Sequence, residues 1–219
     1  MVTMKYIWPI SSMLAITIFA VVWPLPGDAE PLAIRNCTWC HGASAEGYTP
    51  APRLAGQKPA YIENQLVSFR ARTRDAPFSK LYMWGAAANL SRQRMRDLAT
   101  YFSALQPQAA DDGDKKLAAM GQSIYQLGLP DSNIVACVAC HGPNAEGVGQ
   151  IPRLGGLAYP YLKRRLEQWQ DGYQGAIPRP MPHIAGQLSG QQIAALASYL
   201  SFIEYPGVMW RETASTQGQ

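Results

Sequence analysis

A six-residue pattern occurs twice in this 219-residue chain and contains all four of its cysteines. Cys37-Thr-Trp-Cys40-His41-Gly42 recurs 100 positions later as Cys137-Val-Ala-Cys140-His141-Gly142. Both cysteine pairs have the same spacing, and each pair is followed directly by a histidine. Any fold proposed for this chain must therefore explain two equivalent sites.

The repeat extends well beyond the cysteines. The 100-residue offset persists through the next landmarks, and it becomes 98 after a two-residue deletion. The matched positions include Pro52-Arg53-Leu54 with Pro152-Arg153-Leu154, Tyr61 with Tyr161, Met83 with Met181, and Leu90-Ser91 with Leu188-Ser189. Two copies of a unit this long indicate duplication of a whole domain rather than a solenoid of short repeats.

The apolar spacing predicts an all-α protein. Apolar residues recur at helix spacing after Ser91 and again after Ser189, and 115–127 reads as a helix before the second cysteine pair. Tyr61 to Phe69 and Tyr161 to Trp169 read as a further helix in each copy. The predicted organisation is a leader at 1–29, domain 1 at 30–106, a linker at 107–114, domain 2 at 115–206 and a tail at 207–219.

The Cys-x-x-Cys-His spacing predicts covalent haem attachment at both sites. Cys37, Cys40, Cys137 and Cys140 would form thioethers with the haem vinyl groups, and His41 and His141 would bind the two irons. Disulfides do not explain the matched histidines. A zinc site from two Cys-x-x-Cys pairs would usually close a much shorter loop. The expected cofactors are two haem c groups.

Each iron needs a second axial ligand, and only His183 remains among the histidines. Two bis-histidine haems therefore cannot be built within one chain. Met83 and Met181 lie at matched positions, each seven residues before the leucine that opens the last helix of its copy. They are the predicted ligands, and His183 is the competitor.

Three further pairs of residues are candidate haem neighbours. The carbonyl of Pro52 or Pro152 could accept a hydrogen bond from the ring of the motif histidine. Arg53 and Arg153, or Tyr61 and Tyr161, could neutralise or hydrogen-bond the haem propionates. Helix packing or a solvated charge is the simpler alternative for each arginine and tyrosine.

The N-terminus predicts export. Lys5 precedes an apolar run from Tyr6 to Trp23, and the small residues Gly27-Asp28-Ala29 follow, as in a secretory signal cleaved after Ala29. The alternative is a retained membrane anchor, because residues 6–25 just reach the length of a bilayer-spanning helix. Only seven residues separate Ala29 from Cys37, so the first helix of domain 1 is short or includes part of the leader.

The charge is unevenly distributed. Residues 30–108 carry ten Lys and Arg against five Asp and Glu, a net +5, whereas 109–219 carry eight against nine, a net −1. This asymmetry favours docking of domain 1 onto an acidic partner. No motif or basic-aromatic pattern indicates a nucleic acid partner.

On the paired Cys-x-x-Cys-His-Gly, Ala-Glu-Gly and Pro-Arg-Leu-x-Gly runs, with Met83 and Met181 before Leu-Ser helices, residues 31–205 resemble the cytochrome c4 family. The resemblance implies two fused class I cytochrome c domains related by a pseudo-twofold axis. It also implies His/Met ligation at both irons, haems facing each other through their propionate edges, and electron delivery to a terminal oxidase.

The expected function is electron transfer in the periplasm, from a quinol-oxidising complex or dehydrogenase to a terminal oxidase or other acceptor. With both axial positions filled, no small-molecule substrate reaches the iron, so an enzyme is not expected. One alternative is a membrane-anchored cytochrome subunit of an oxidase or dehydrogenase complex, held by residues 6–25. A two-haem peroxidase is the other, and it requires an open iron position.

Overall fold

The computed structural model describes residues 32–173 and 180–204. Nearly all regular structure in these ranges is helical, and they contain no β-strand, only two isolated bridges, Leu129 with Ile134 and Val148 with Ile151. The predicted all-α class is confirmed. The predicted leader at 1–29 and the tail at 207–219 lie outside the described residues.

The described part of the first half, from residue 32, contains four α-helices. They are α1 (Leu32–His41), α2 (Pro59–Arg70), α3 (Trp84–Ala87), which directly follows a π-helical turn at Ser79–Met83, and α4 (Arg92–Ala104). Helices α2 and α4 pack together. The buried core of this half includes Ile34, Ile62, Leu98 and Phe102, which come from α1, α2 and α4.

The second half contains five α-helices in the stretches that the structure describes, up to residue 173 and from 180 to 204. They are α5 (Lys115–Leu127), α6 (Val138–His141), α7 (Tyr159–Gln170), α8 (Pro180–Ala185) and α9 (Gly190–Phe202), with a 3-10 turn at Pro130–Ser132 between α5 and α6. Its core includes Tyr125, Leu162, Ile193 and Leu196. Helix α9 packs on both α5 and α7, so it is the central element of this half.

The repeated helices start where their capping residues predict. The Ser91 side chain accepts a hydrogen bond from the backbone N–H of Arg94, and the Ser189 side chain accepts one from Gln192. The Gln192 side chain in turn accepts a hydrogen bond from the backbone N–H of Ser189, which completes the capping box expected from its place three residues later. These caps fix the start of α4 and α9, and each cap lies four residues after the end of the preceding helix, α3 or α8.

The two halves differ most at their first helix. In the second half a 13-residue helix, α5, precedes the cysteine motif, whereas in the first half the motif itself lies in α1. The approach of α5 to α9 depends on Gly121, because a Cβ added there would lie 2.0 Å from the backbone oxygen of Ala195. The predicted first helix of domain 1 corresponds to α1 in the described residues, and residues 1–31 lie outside that range.

None of the helices in the two described ranges is long and apolar enough to cross a membrane. The segment between the two cysteine-containing units, 107–114, lies along α9. The backbone N–H of Asp111 donates to the carbonyl of Ser201 at 3.1 Å, and that of Asp114 donates to the Ser198 hydroxyl at 3.0 Å. The segment is therefore hydrogen-bonded to the second half.

Candidate haem sites

Each motif histidine lies at the end of a helix with its ring nitrogen on a proline carbonyl. Nδ1 of His41 is 2.7 Å from the oxygen of Pro52, and Nδ1 of His141 is 3.0 Å from the oxygen of Pro152. A carbonyl only accepts, so Nδ1 carries the proton and Nε2 keeps its lone pair. This is the arrangement that orients a metal-binding imidazole.

Both histidines are buried, with 6% and 5% of their surface exposed. Burial lowers the pKa of His41 and of His141, and the proline hydrogen bond only partly opposes that effect. The neutral imidazole that results is the form that binds a metal ion. Both sites thus present a neutral, oriented nitrogen ligand.

The cysteines lie on the same turn as the histidine they precede. The backbone N–H of His141 donates to the carbonyl of Cys137 at 2.9 Å, and in α1 Cys37 and His41 are one turn apart on the same face. The structure contains no disulfide between the four, and burial raises the pKa of Cys37 and of Cys137 to about 11. The two matched motifs therefore share one local geometry.

The zinc alternative has no support. Across residues 32–173 and 180–204, no group of three or more His, Cys, Asp or Glu side chains could hold a metal ion. Each cysteine pair has only its own histidine nearby in sequence, and the two pairs belong to different halves. The donor set at each motif, two thiols and one imidazole on a single turn, suits thioether attachment of a porphyrin with one axial nitrogen.

The two predicted methionine ligands lie in different local structures. Met83 ends the π-helical turn, and Met181 is the second residue of α8. Both are half-buried, but only Met181 packs against the core of its half. His183, the competing ligand, is exposed on α8. Short π-helical turns occur frequently at functional sites, which fits the placement of Met83.

The arginines of the Pro-Arg-Leu runs reach across the molecule to the opposite half. Nη1 of Arg53 donates to the carbonyl of Gly156 at 2.9 Å, and Nη2 of Arg153 donates to the carbonyl of Ala55 at 2.9 Å. Both arginines are buried. Their role toward haem propionates stays a prediction, while these contacts join the two halves through buried hydrogen bonds.

A cytochrome c family model matches the chain twice, at residues 30–106 and 118–203. Cytochrome c4 of Thiocapsa roseopersicina is 36% identical over 183 residues, which cover 81% of this chain and 91% of that protein. A thiosulfate dehydrogenase electron acceptor of Thiomonas intermedia is 33% identical over 207 residues, covering 90% of this chain and 94% of the relative. The structure of Acidithiobacillus ferrooxidans cytochrome c4 superposes with a TM-score of 0.71 at 32% identity, covering 76% of this chain and 98% of that one.

This chain belongs to the cytochrome c4 family. It is a two-haem electron carrier in which Cys37 and Cys40 attach one haem c and Cys137 and Cys140 attach the other. The predicted fold of two tandem cytochrome c domains is likewise confirmed.

In this cytochrome c4 the two matched tyrosines are not equivalent. Tyr161 is buried and hydrogen-bonds Arg74, whose guanidinium lies over the ring of Phe69, whereas Tyr61 is half-buried. Burial alone would raise the pKa of Tyr161, but Arg74, Arg165 and Arg164 outweigh it and lower that pKa. The role of Tyr61 and Tyr161 toward the haem propionates stays a prediction.

Sequence reasoning missed Arg74 and Gln57, which the structure places between the halves. Arg74 lies in a closely spaced basic run with Arg70 and Arg72, and such a run by itself predicts a solvated face. The sequence signal for Arg74 is that the second copy has no such basic run after α7. The signal for Gln57 is weaker: its counterpart in the repeat is Leu157, so a polar residue stands where the other copy has an apolar one.

Proposed function

We propose that this cytochrome c4 carries electrons in the periplasm, from a quinol-oxidising complex or a dehydrogenase to a terminal oxidase or another acceptor. One observation carries the proposal. At both sites a buried neutral histidine has its Nδ1 proton held by a proline carbonyl. An imidazole fixed in this way suits a permanent axial ligand, because neither ring rotation nor protonation competes with binding of the iron.

Met83 and Met181 are proposed as the opposite axial ligands, and bound haem iron then supplies a one-electron couple at a raised potential. Matched positions in the repeat support this assignment, as does the half-burial of both side chains. The exposed imidazole of His183 is poorly placed to compete in the second half. With two protein ligands on each iron, no position is left for a substrate, which favours a carrier over a peroxidase.

The donor is proposed to be a dehydrogenase of the kind that reduces its relatives. One relative, aligned with this chain over 94% of its length, is named a thiosulfate dehydrogenase electron acceptor. Other relatives are named cytochrome c4. This favours an inorganic sulfur compound as one ultimate source of electrons. A quinol-oxidising complex remains the other proposed source.

Stopped-flow mixing of the purified two-haem protein with candidate donors tests the proposal. We expect both haems to be reduced by a thiosulfate dehydrogenase with thiosulfate, or by a quinol-oxidising complex with quinol, and then to be reoxidised by oxidase-containing membranes. Peroxide serves as the control reagent. Rapid peroxide turnover by the reduced or mixed-valence protein, far above that of free haem, would establish an enzyme instead.

Localisation is tested on the same protein in its native cell. The mass of the mature chain and its distribution between periplasmic and membrane fractions separate the two forms proposed for residues 1–29. Cleavage after Ala29 with release into the periplasm supports a free carrier. An intact chain in the membrane fraction supports an anchored subunit held by residues 6–25.

A further inference from the structure

One peptide group links the histidine of the second haem site to a side chain of the first half. The carbonyl of Pro152 accepts from Nδ1 of His141 at 3.0 Å, and the N–H of the same peptide, on Arg153, donates to Oε1 of Gln57 at 2.8 Å. Nε2 of Gln57 also donates to the carbonyl of Arg153 at 2.9 Å. Gln57 is only 5% exposed, so water does not compete for these contacts.

The link exists in one direction only. Gln57 corresponds to Leu157 in the repeat, and a leucine side chain cannot accept a hydrogen bond from the peptide that follows Pro52. The neighbouring arginine contacts run in both directions, since Arg53 reaches Gly156 and Arg153 reaches Ala55. Among these cross-domain contacts, Gln57 is therefore the residue that makes the two histidine sites chemically different.

We propose that Gln57 is a positioning residue that tunes the second haem from the first domain. Hydrogen bonds in a chain polarise one another in a low-dielectric interior. When Gln57 accepts from the Arg153 N–H, the Pro152 oxygen becomes a stronger acceptor for the His141 proton. A stronger hydrogen bond at Nδ1 raises the basicity of Nε2, which favours the oxidised iron and lowers the potential of the second haem.

The inference rests on the proposed axial role of His141, and potentiometric titration of the full two-haem protein tests it. The two potentials are assigned to their domains by the shifted haem methyl signals in NMR spectra. We expect Gln57→Leu to favour reduction of the second haem by a factor of about three to ten, which is about 30 to 60 mV for a one-electron couple. The first haem should keep its potential.

Two further variants separate tuning from a loosened interface. Gln57→Met removes both hydrogen bonds to Arg153, together with the acceptor that Oε1 offers the N–H of Lys58, at nearly constant volume. It should shift the potential of the second haem in the same direction as Gln57→Leu. Gln57→Glu keeps an acceptor oxygen for the Arg153 N–H and should not raise that potential. An equal shift of both haems, an upward shift with Gln57→Glu, or no shift with Gln57→Leu or Gln57→Met overturns the proposal.

Gln93→Leu, an exposed change on α4, is the matched control and should move neither potential. Haem content and the low-spin absorption spectrum are recorded first for every protein. Loss of low-spin character in the unmodified protein contradicts the proposed axial ligands. Intact low-spin spectra with unshifted potentials contradict only the role of Gln57.

Discussion

Met83 and Met181 have different surroundings although the repeat pairs them. Met181 packs against the core formed by residues such as Leu188 and Leu196, and Met83 ends a π-helical turn whose residues Leu81 and Tyr82 are exposed. A methionine that packs against few side chains is held in place mainly by its bond to the iron. We therefore expect the first site to depend more strongly on the bond between methionine and iron.

Replacement of either methionine by alanine should affect one haem only. Met83→Ala or Met181→Ala is expected to convert its haem to a high-spin or misligated form and to lower that potential, because the thioether ligand raises the potential of His/Met haems. Absorption spectra and potentiometric titration measure both effects. Met120→Ala, which changes an exposed methionine on α5, is the control and should leave both haems low-spin. Two unchanged low-spin haems in Met83→Ala or Met181→Ala would refute the ligand assignment.

At the scale of elements, the close contact between α5 and α9 distinguishes the second half. Gly121 lets the two helices approach, since any side chain there meets the backbone of Ala195 and the Cβ of Tyr199. Among the described residues of the first half, the cysteines lie in α1, the first helix of that range. The stability of the second half depends on the contact between α5 and α9.

Gly121→Ala should destabilise the protein by about 1–3 kcal/mol, because the added methyl forces α5 away from α9. Alanine has a higher helix propensity than glycine, which contributes about 1 kcal/mol in the opposite direction. This gain is smaller than the cost of moving the two helices apart. Thermal unfolding followed by circular dichroism measures the change. Gly190→Ala at the start of α9, where an added Cβ meets nothing within 4 Å, is the control and should unfold at or above the temperature of the unmodified protein.

Sequence periodicity was enough to predict the repeated helices but not the connections between them. The predicted helix at 115–127 has the bounds of α5, and the serine caps mark α4 and α9 correctly. The π-helical turn was not predicted. Helix α7 begins two residues earlier than predicted, and the proline in its first turn was the local signal for that start. The contact of half-buried Arg74 with Tyr161 was also missed, since the two residues are 87 positions apart in sequence.

At the scale of the whole molecule, the arginines form two sets, one exposed on the surface and one buried between the halves. The first half carries the positive excess, and exposed arginines such as Arg94 on α4 contribute to it. The buried arginines Arg53 and Arg153 instead bond carbonyls of the opposite half. The first set acts on approaching partners, and the second set holds the halves together.

Oxidation of the reduced protein by ferricyanide, an anionic reagent, should slow as salt increases, because charges more than about 10 Å apart are largely screened at 0.1 M. Arg94→Glu in the first half should slow this reaction at low salt about twofold more than Lys116→Glu in the second half. Stopped-flow absorption measures the rates. A cationic oxidant is the control and should show the opposite trend, and equal effects of the two variants with ferricyanide would argue against the charge asymmetry.

Arg153→Met should lower the free energy of unfolding by about 1–3 kcal/mol, because the carbonyl of Ala55 loses a buried hydrogen-bond donor. Chemical denaturation followed by haem absorption measures it. Lys163→Met, which removes only a partly exposed pair with Glu167 on α7, is the control and should change stability by less than about 1 kcal/mol. Equal effects would show that the contacts between the halves contribute little.

Arg53 and Arg153 approximate an isologous contact, in which each protomer contributes the same residue to the interface, with acceptors one position apart in the repeat, Gly156 and Ala55. Here both protomers belong to one polypeptide, and residues 107–114 join them. An association that would otherwise depend on concentration thus becomes intramolecular, with an effective concentration fixed by a short tether. Once fused, the two copies no longer have to remain identical, and a single exchange such as glutamine for leucine can give each partner its own chemistry.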